Sequence, residues 1–90
     1  MPERTVVVAS KVGLHARPAA LFVKAAAEQP ARVTIRKDGD PVDASSILAI
    51  MTLGVEHGDE VTLAAEGEQA DEALDNLVAL LERDLDAEDA

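Results

Sequence analysis

The chain contains no cysteine, so neither a disulfide framework nor a thiolate metal site is available and stability has to come from packing. No apolar run approaches the length needed to span a bilayer, and the N-terminus lacks the basic and apolar segments of a secretory signal. A cytoplasmic location without membrane insertion is the expectation. Basic residues are scarce: eight Lys and Arg stand against eighteen Asp and Glu, a formal net charge of −10. Affinity for nucleic acid needs basic surface that displaces counterions, and this composition argues against it. Ninety residues suffice for one domain, 1–90, around a single modest core.

The acid that is present is unevenly spread. Most of it lies from Glu56 onward, whereas no acidic residue falls between Arg4 and Glu28. His15, Arg17 and Lys24 all lie in that acid-free stretch. A neutral-to-basic face on an acidic protein suits an anion site, and it also suits an acidic partner surface. The tail from Asp84 to Ala90 reads as solvated chain.

Gly13-Leu14-His15-Ala16-Arg17-Pro18-Ala19-Ala20 carries the densest chemistry. Before it, Glu3 to Ala9 is rich in β-branched residues (Thr5, Val6, Val7, Val8) and reads as a strand. Gly13 allows a tight turn, and Pro18 is tolerated in a first helical turn, where its missing N–H costs nothing. From Ala19 to Glu28 the good helix formers Ala, Leu and Lys dominate. His15 therefore falls near an N-cap, with Ala16 and Arg17 in the first turn. A helix start leaves backbone N–H groups without intrahelical partners and carries the positive end of the helix dipole. Such a place attracts anions, phosphate above all. An imidazole there is a nucleophile beside a phosphate cradle. The competing readings are a capping or half-buried His15 and a solvated or ion-paired Arg17.

Downstream, Arg32-Val33-Thr34-Ile35-Arg36 alternates as a half-buried strand does. Lys37-Asp38-Gly39-Asp40 is a hairpin turn, and Pro41-Val42-Asp43 a short edge strand. Ser45 or Ser46 caps a short helix through Ile47, Leu48, Ile50 and Met51, which Gly54 closes. A His57-Gly58-Asp59 loop leads to a strand from Glu60 to Ala65, with Val61, Leu63 and Ala65 on one face. The last helix carries an apolar stripe at Ala70, Leu74, Leu77, Val78, Leu81 and Leu85. Single-faced strands and single-striped helices imply an α+β fold, one antiparallel sheet covered on one side by helices. A ferredoxin-like split βαβ domain is the competing topology, and the extra helix counts against it.

The Gly13–Ala19 motif resembles the active-site signature of the HPr family, the histidine-containing phosphocarriers of the bacterial sugar phosphotransferase system. A second segment, Val42-Asp43-Ala44-Ser45-Ser46-Ile47-Leu48-Ala49-Ile50-Met51-Thr52-Leu53-Gly54, is similar to that family's regulatory-serine region. The resemblance covers essentially the whole chain. It implies an open-faced β-sandwich, four antiparallel strands and three helices in the order βαββαβα. It also implies that His15 accepts a phosphoryl group at Nδ1 from phosphorylated Enzyme I, whose donor is phosphoenolpyruvate. The group then passes to the IIA domains of sugar transporters. Attack needs a neutral imidazole, and an unperturbed histidine is largely neutral near neutral pH. Phosphoryl transfer is mostly positioning and charge stabilisation. The Ala16 and Arg17 N–H groups and the Arg17 guanidinium would hold the phosphate oxygens. No cofactor or metal is expected; the chain is expected to be a monomer, and a phosphoryl-transfer carrier with a phosphohistidine intermediate rather than a stand-alone enzyme.

The same resemblance assigns Ala20, Lys24, Leu48 and Met51 to partner docking. Leu48 and Met51 are expected to be exposed, whereas Ile47 and Ile50 are expected in the core. Ser46 matches a serine phosphorylated by a regulatory kinase in some branches, with helix capping as the competing role. Three positions depart from the family pattern. Val12 stands where a small polar residue often precedes the glycine, Ala27 where many relatives have lysine, and Ser45 where a basic residue is common. His57 has no matching ligand cluster and reads as structural; no nucleophile elbow accompanies a serine-histidine-acid triad. Two alternatives stay open: a regulatory or nitrogen-branch phosphocarrier, and a non-reacting module that binds an anionic metabolite.

Overall fold

The computed structural model describes residues 2–9, 13 and 16–82, and at 16 and 17 it describes the backbone. Along the chain run β1 (Glu3–Val7), α1 (Ala16–Glu28), β2 (Arg32–Arg36), β3 (Val42–Asp43), α2 (Ile47–Leu53), β4 (Glu60–Glu66) and α3 (Ala70–Leu81). The strands form one antiparallel sheet in the order β1-β4-β2-β3. This is the four-stranded open sheet with three helices that the sequence predicts, and the strand order is the part that periodicity alone leaves undetermined.

Alternation in the strands decides which face is covered. Val6, Val33, Ile35, Val61, Leu63 and Ala65 are buried on the helix side. Phe22 of α1, Ile50 of α2, and Leu74 and Leu77 of α3 fill the space above them. The other face is polar and charged: Thr5 and Thr62 are cross-strand partners with hydroxyl oxygens 3.3 Å apart, and Glu3 and Arg36 lie on the same face. Along α3 the buried stripe is Ala70, Ala73, Leu74, Leu77 and Leu81, which adds Ala73 to the expected set; Val78 is half-buried and Leu85 lies outside the described residues. Arg4 reaches from β1 to Asp71 (3.1 Å) and Asp75 (3.5 Å) on α3. These are exposed pairs, which contribute little beside the apolar contact.

The boundaries move slightly from expectation, for visible reasons. β1 stops at Val7 because the next two residues bond elsewhere: Val8 N–H donates to Asp59 O (2.9 Å) and Ala9 N–H to Leu81 O (3.0 Å). β4 runs one residue further, to Glu66, because Glu66 pairs with Arg32 at the far end of β2. β3 is the short edge strand expected after Pro41, in register Thr34↔Asp43 and Ile35↔Val42.

Candidate functional site

Gly13 is the described residue that ties the motif to the fold. Its φ is +67°, and a Cβ built on it would stand 2.3 Å from Val55 O and 2.6 Å from Glu56 Cα. Both the left-handed backbone and the absent side chain are therefore required there. Three residues on, α1 opens at Ala16, with Pro18 buried in its first turn and no acidic residue in that turn. The Ala16 and Arg17 N–H groups fall where a helix lacks internal acceptors, and the positive end of the dipole is not offset by an acid of the same turn. Val12, Leu14 and His15 lie outside the described residues, and the Arg17 side chain is likewise not described. What the fold supplies is the seat at Gly13 and the helix start at Ala16.

The seat is itself held from two sides. Gly58 N–H donates to Val8 O (2.9 Å), which with the Val8–Asp59 bond ties the turn between α2 and β4 to the end of β1. On the other side, Lys37 Nζ donates to Gly54 O at 3.0 Å and pairs with Asp59 Oδ2 at 2.8 Å. Asp59 Oδ2 also accepts the Glu56 N–H at 2.8 Å. The Lys37 hydrogen bond, then the Glu56 N–H, holds the Asp59 carboxyl below its ordinary range against a smaller opposing effect of desolvation. The same bond to Asp59 raises Lys37. No local pattern announces this cluster, since Lys37 and Asp59 are far apart in sequence. His57 lies on the exposed loop of the same turn.

The second motif folds into α2. Ser46 is its N-cap, in extended backbone, and its Oγ accepts the Ala49 N–H at 3.3 Å. Gly54, in left-handed conformation at φ 66°, is the C-cap. Ser45 is occupied differently: its N–H and its hydroxyl both donate to Asp43 Oδ1, at 2.9 and 2.6 Å. That hydroxyl bond, followed by the backbone one, lowers the Asp43 pKa.

Leu48 is 77% exposed and Met51 45%, as expected, and Ile50 is fully buried. Ile47 is a correction: it is 41% exposed rather than part of the core. The reason is helical geometry, because residues four apart share a face. Ile47 therefore goes with Met51, and a helix this short turns only Ile50 fully inward. On α1, which packs against α2, Ala20 and Lys24 are exposed. Leu21 beside Ala20 is also exposed, at 36%. Leu21 and Ile47 thus extend the apolar surface beyond the residues singled out from sequence. Ala27 is exposed at the far end of α1 and leaves that face without the charge a lysine would bring. A polar groove of about 350 Å³ lies at that end too, lined by Gln29, Arg32, Asp43 and Ser45 among others, away from Gly13.

Comparison with known proteins now decides the family. The family model described as PTS HPr component phosphorylation site matches residues 2–83. The chain belongs to the HPr family. It is 47% identical over 87 residues to the phosphocarrier protein HPr of Streptomyces coelicolor, covering 96% of this chain and 94% of that one. The crystal structure of HPr-C-His from Thermoanaerobacter tengcongensis superposes with a TM-score of 0.86 at 48% identity, covering 91% and 92% of the two chains. The crystal structure of Crh from Bacillus subtilis, described as a dimer with a swapped domain, gives 0.73 at 46% identity over 93% and 97%. HPr proteins are phosphocarriers of the phosphotransferase system, so a phosphocarrier fold is established for this chain, and the relatives include both HPr and the Crh variant. Among the described residues no helix is long and apolar enough to cross a membrane.

Proposed function

We propose that residues 1–90 form one carrier domain in which His15 accepts a phosphoryl group from phosphorylated Enzyme I and passes it to IIA domains of sugar transporters. The observation that carries this reading is the coincidence of the family's phosphorylation-site motif with the Gly13 turn and the start of α1. A nucleophile at that point sits beside N–H groups of Ala16 and Arg17 that have no helical acceptor. The His15 Nδ1 lone pair attacks phosphorus as the bond to the donor breaks. The oxygens are then met by those N–H groups and by the Arg17 guanidinium, whose charge-assisted hydrogen bonds suit a phosphate. A carrier has to release its cargo, and a modest set of donors suits reversible binding.

The docking surface is the apolar and basic face made by Ala20 and Lys24 on α1 with Leu48 and Met51 on α2. Leu21 and Ile47 widen it. Exposed apolar side chains on two helices that pack together, on a small acidic protein, favour an interface. The carrier acts as a cytoplasmic monomer in this reading; the dimer described for Bacillus subtilis Crh is the alternative assembly, and light scattering distinguishes them.

A second, regulatory reading rests on Ser46. It caps α2 immediately before the exposed Ile47 and Leu48, so phosphate placed there by a serine kinase would bring negative charge to the docking face. The likeness to Crh, whose structure is described as a catabolite repression protein, favours the same reading.

Intact mass after incubation with phosphoenolpyruvate, magnesium and a bacterial Enzyme I tests the proposal, beside a His15→Ala control. One added phosphate, lost in mild acid and absent from the control, is the expected result. A folded protein that takes no phosphate from an active Enzyme I would sink it. Phosphate retained on the control would remove His15 from the role.

A further inference from the structure

A polar clamp spans the turn on which Gly13 rests. Lys37, just after β2, bonds through Nζ to Gly54 O (3.0 Å) at one end of the turn and to Asp59 Oδ2 (2.8 Å) at the other. Asp59 folds back on the turn from within, accepting the Glu56 N–H at 2.8 Å. Between these two ends lie Val55 O and Glu56 Cα, the atoms a Cβ on Gly13 would meet at 2.3 and 2.6 Å. Gly13 stands two residues before His15, and Val8, where the chain leaves β1, is bonded to Gly58 and Asp59 of the same turn. The segment that carries the histidine is therefore tied at Val8 and seated at Gly13 on one piece of backbone. The shape of that piece is set by a lysine and an aspartate.

We propose that Lys37 and Asp59 are positioning residues for His15. They act through the backbone: they fix the 54–59 turn, the turn seats Gly13, and Gly13 stands two residues before the histidine. The inference deepens the reading of His15 as phosphoryl acceptor and rests on it. Phosphoryl transfer depends mainly on positioning, and a displacement near 1 Å can cost about a hundredfold in rate. Loss of the clamp leaves the Val8 bonds and the buried Val55 in place, so a partial effect is expected.

The test uses the full chain with Lys37→Met, Asp59→Asn and Lys37→Arg. Single-turnover phosphorylation by Enzyme I is measured at temperatures where circular dichroism shows each variant folded. The His15 ring resonances are followed by NMR in the unphosphorylated protein. Lys37→Met should lower the rate at saturating Enzyme I about five- to tenfold, leave half-saturation unchanged and displace the ring resonances. Lys37→Arg, which keeps donors for both oxygens, should recover both readouts. Folded variants with wild-type rates and unmoved resonances would overturn the proposal. So would an effect confined to half-saturation, which would make Lys37 a docking contact. If Lys37→Met does not fold, Asp59→Asn decides by the same criteria, since it keeps an oxygen for the Glu56 N–H. If the wild-type protein takes no phosphate, the phosphocarrier reading fails by itself; displaced ring resonances would still support the positioning claim, and unmoved ones would overturn it.

Discussion

α3 and α2 use apolar residues in opposite ways. In α3 the stripe Ala70, Ala73, Leu74, Leu77 and Leu81 is buried against the sheet, and the outer face carries Asp71, Glu72, Asp75 and Asn76. In α2 only Ile50 is fully buried, while Ile47, Leu48 and Met51 face outward at 41%, 77% and 45% exposure. Burial explains the first set completely. In the second set Ile47 and Met51 are part-covered and Leu48 is mostly exposed, so burial accounts for it only in part, and the exposed remainder suits the proposed docking surface. One helix holds the fold together and the other spends its hydrophobic residues on the surface.

The largest expected effect is on the first of these. Leu74→Ala removes a fully buried side chain and should destabilise the domain by about 2–5 kcal/mol, read by urea denaturation. Ser46→Ala should cost about 1 kcal/mol, the usual value of a lost N-cap. Leu48→Ala should change stability by no more than about 0.5 kcal/mol, yet weaken Enzyme I binding by about tenfold in calorimetry. A Leu48→Ala protein that melts as early as Leu74→Ala would erase the contrast between the helices.

The smallest effect concerns the C-terminal end of α2, which depends on charge where α3 depends on burial. Asp59 has a folded pKa below its unfolded value, so its contribution is present above about pH 3.9 and fades as pH falls through the lower folded value. The Glu56 amide, bonded to Asp59, should therefore show an NMR titration with a midpoint below the ordinary aspartate value. Lys37 is raised, so its contribution is present below its unfolded pKa and is lost only as alkaline pH passes the higher folded value. A Glu56 amide midpoint at or above the ordinary value would place the Asp59 carboxylate outside the clamp.

What could be read from the sequence follows the range of the forces involved. Strand alternation in Arg32–Arg36 and closure at Gly54 are set by neighbouring residues and appear where those residues predict, while the cap that the sequence leaves open between Ser45 and Ser46 falls to Ser46. The exposure of Leu48 and Met51 was legible as well. Ile47 departs from expectation because its hydrophobicity suggests burial, whereas its spacing from Met51 decides its side of the helix. The order β1-β4-β2-β3 and the Lys37–Asp59 clamp depend on contacts between distant segments, which neither periodicity nor turn chemistry records. The reason for glycine at position 13 is half visible in the sequence: the turn follows from it, but the backbone of Val55 and Glu56 pressed against it does not.

That contact has a consequence for when the chain becomes competent. The His15 motif exists in every nascent or partly folded molecule, but its support comes from residues made long afterwards, beyond α2. Until β1 and the Val55–Glu56 turn have met, Gly13 has no backbone to rest on. On the proposed reading, competence of the motif for phosphate arrives with the long-range closure of the fold rather than with the local α1 start.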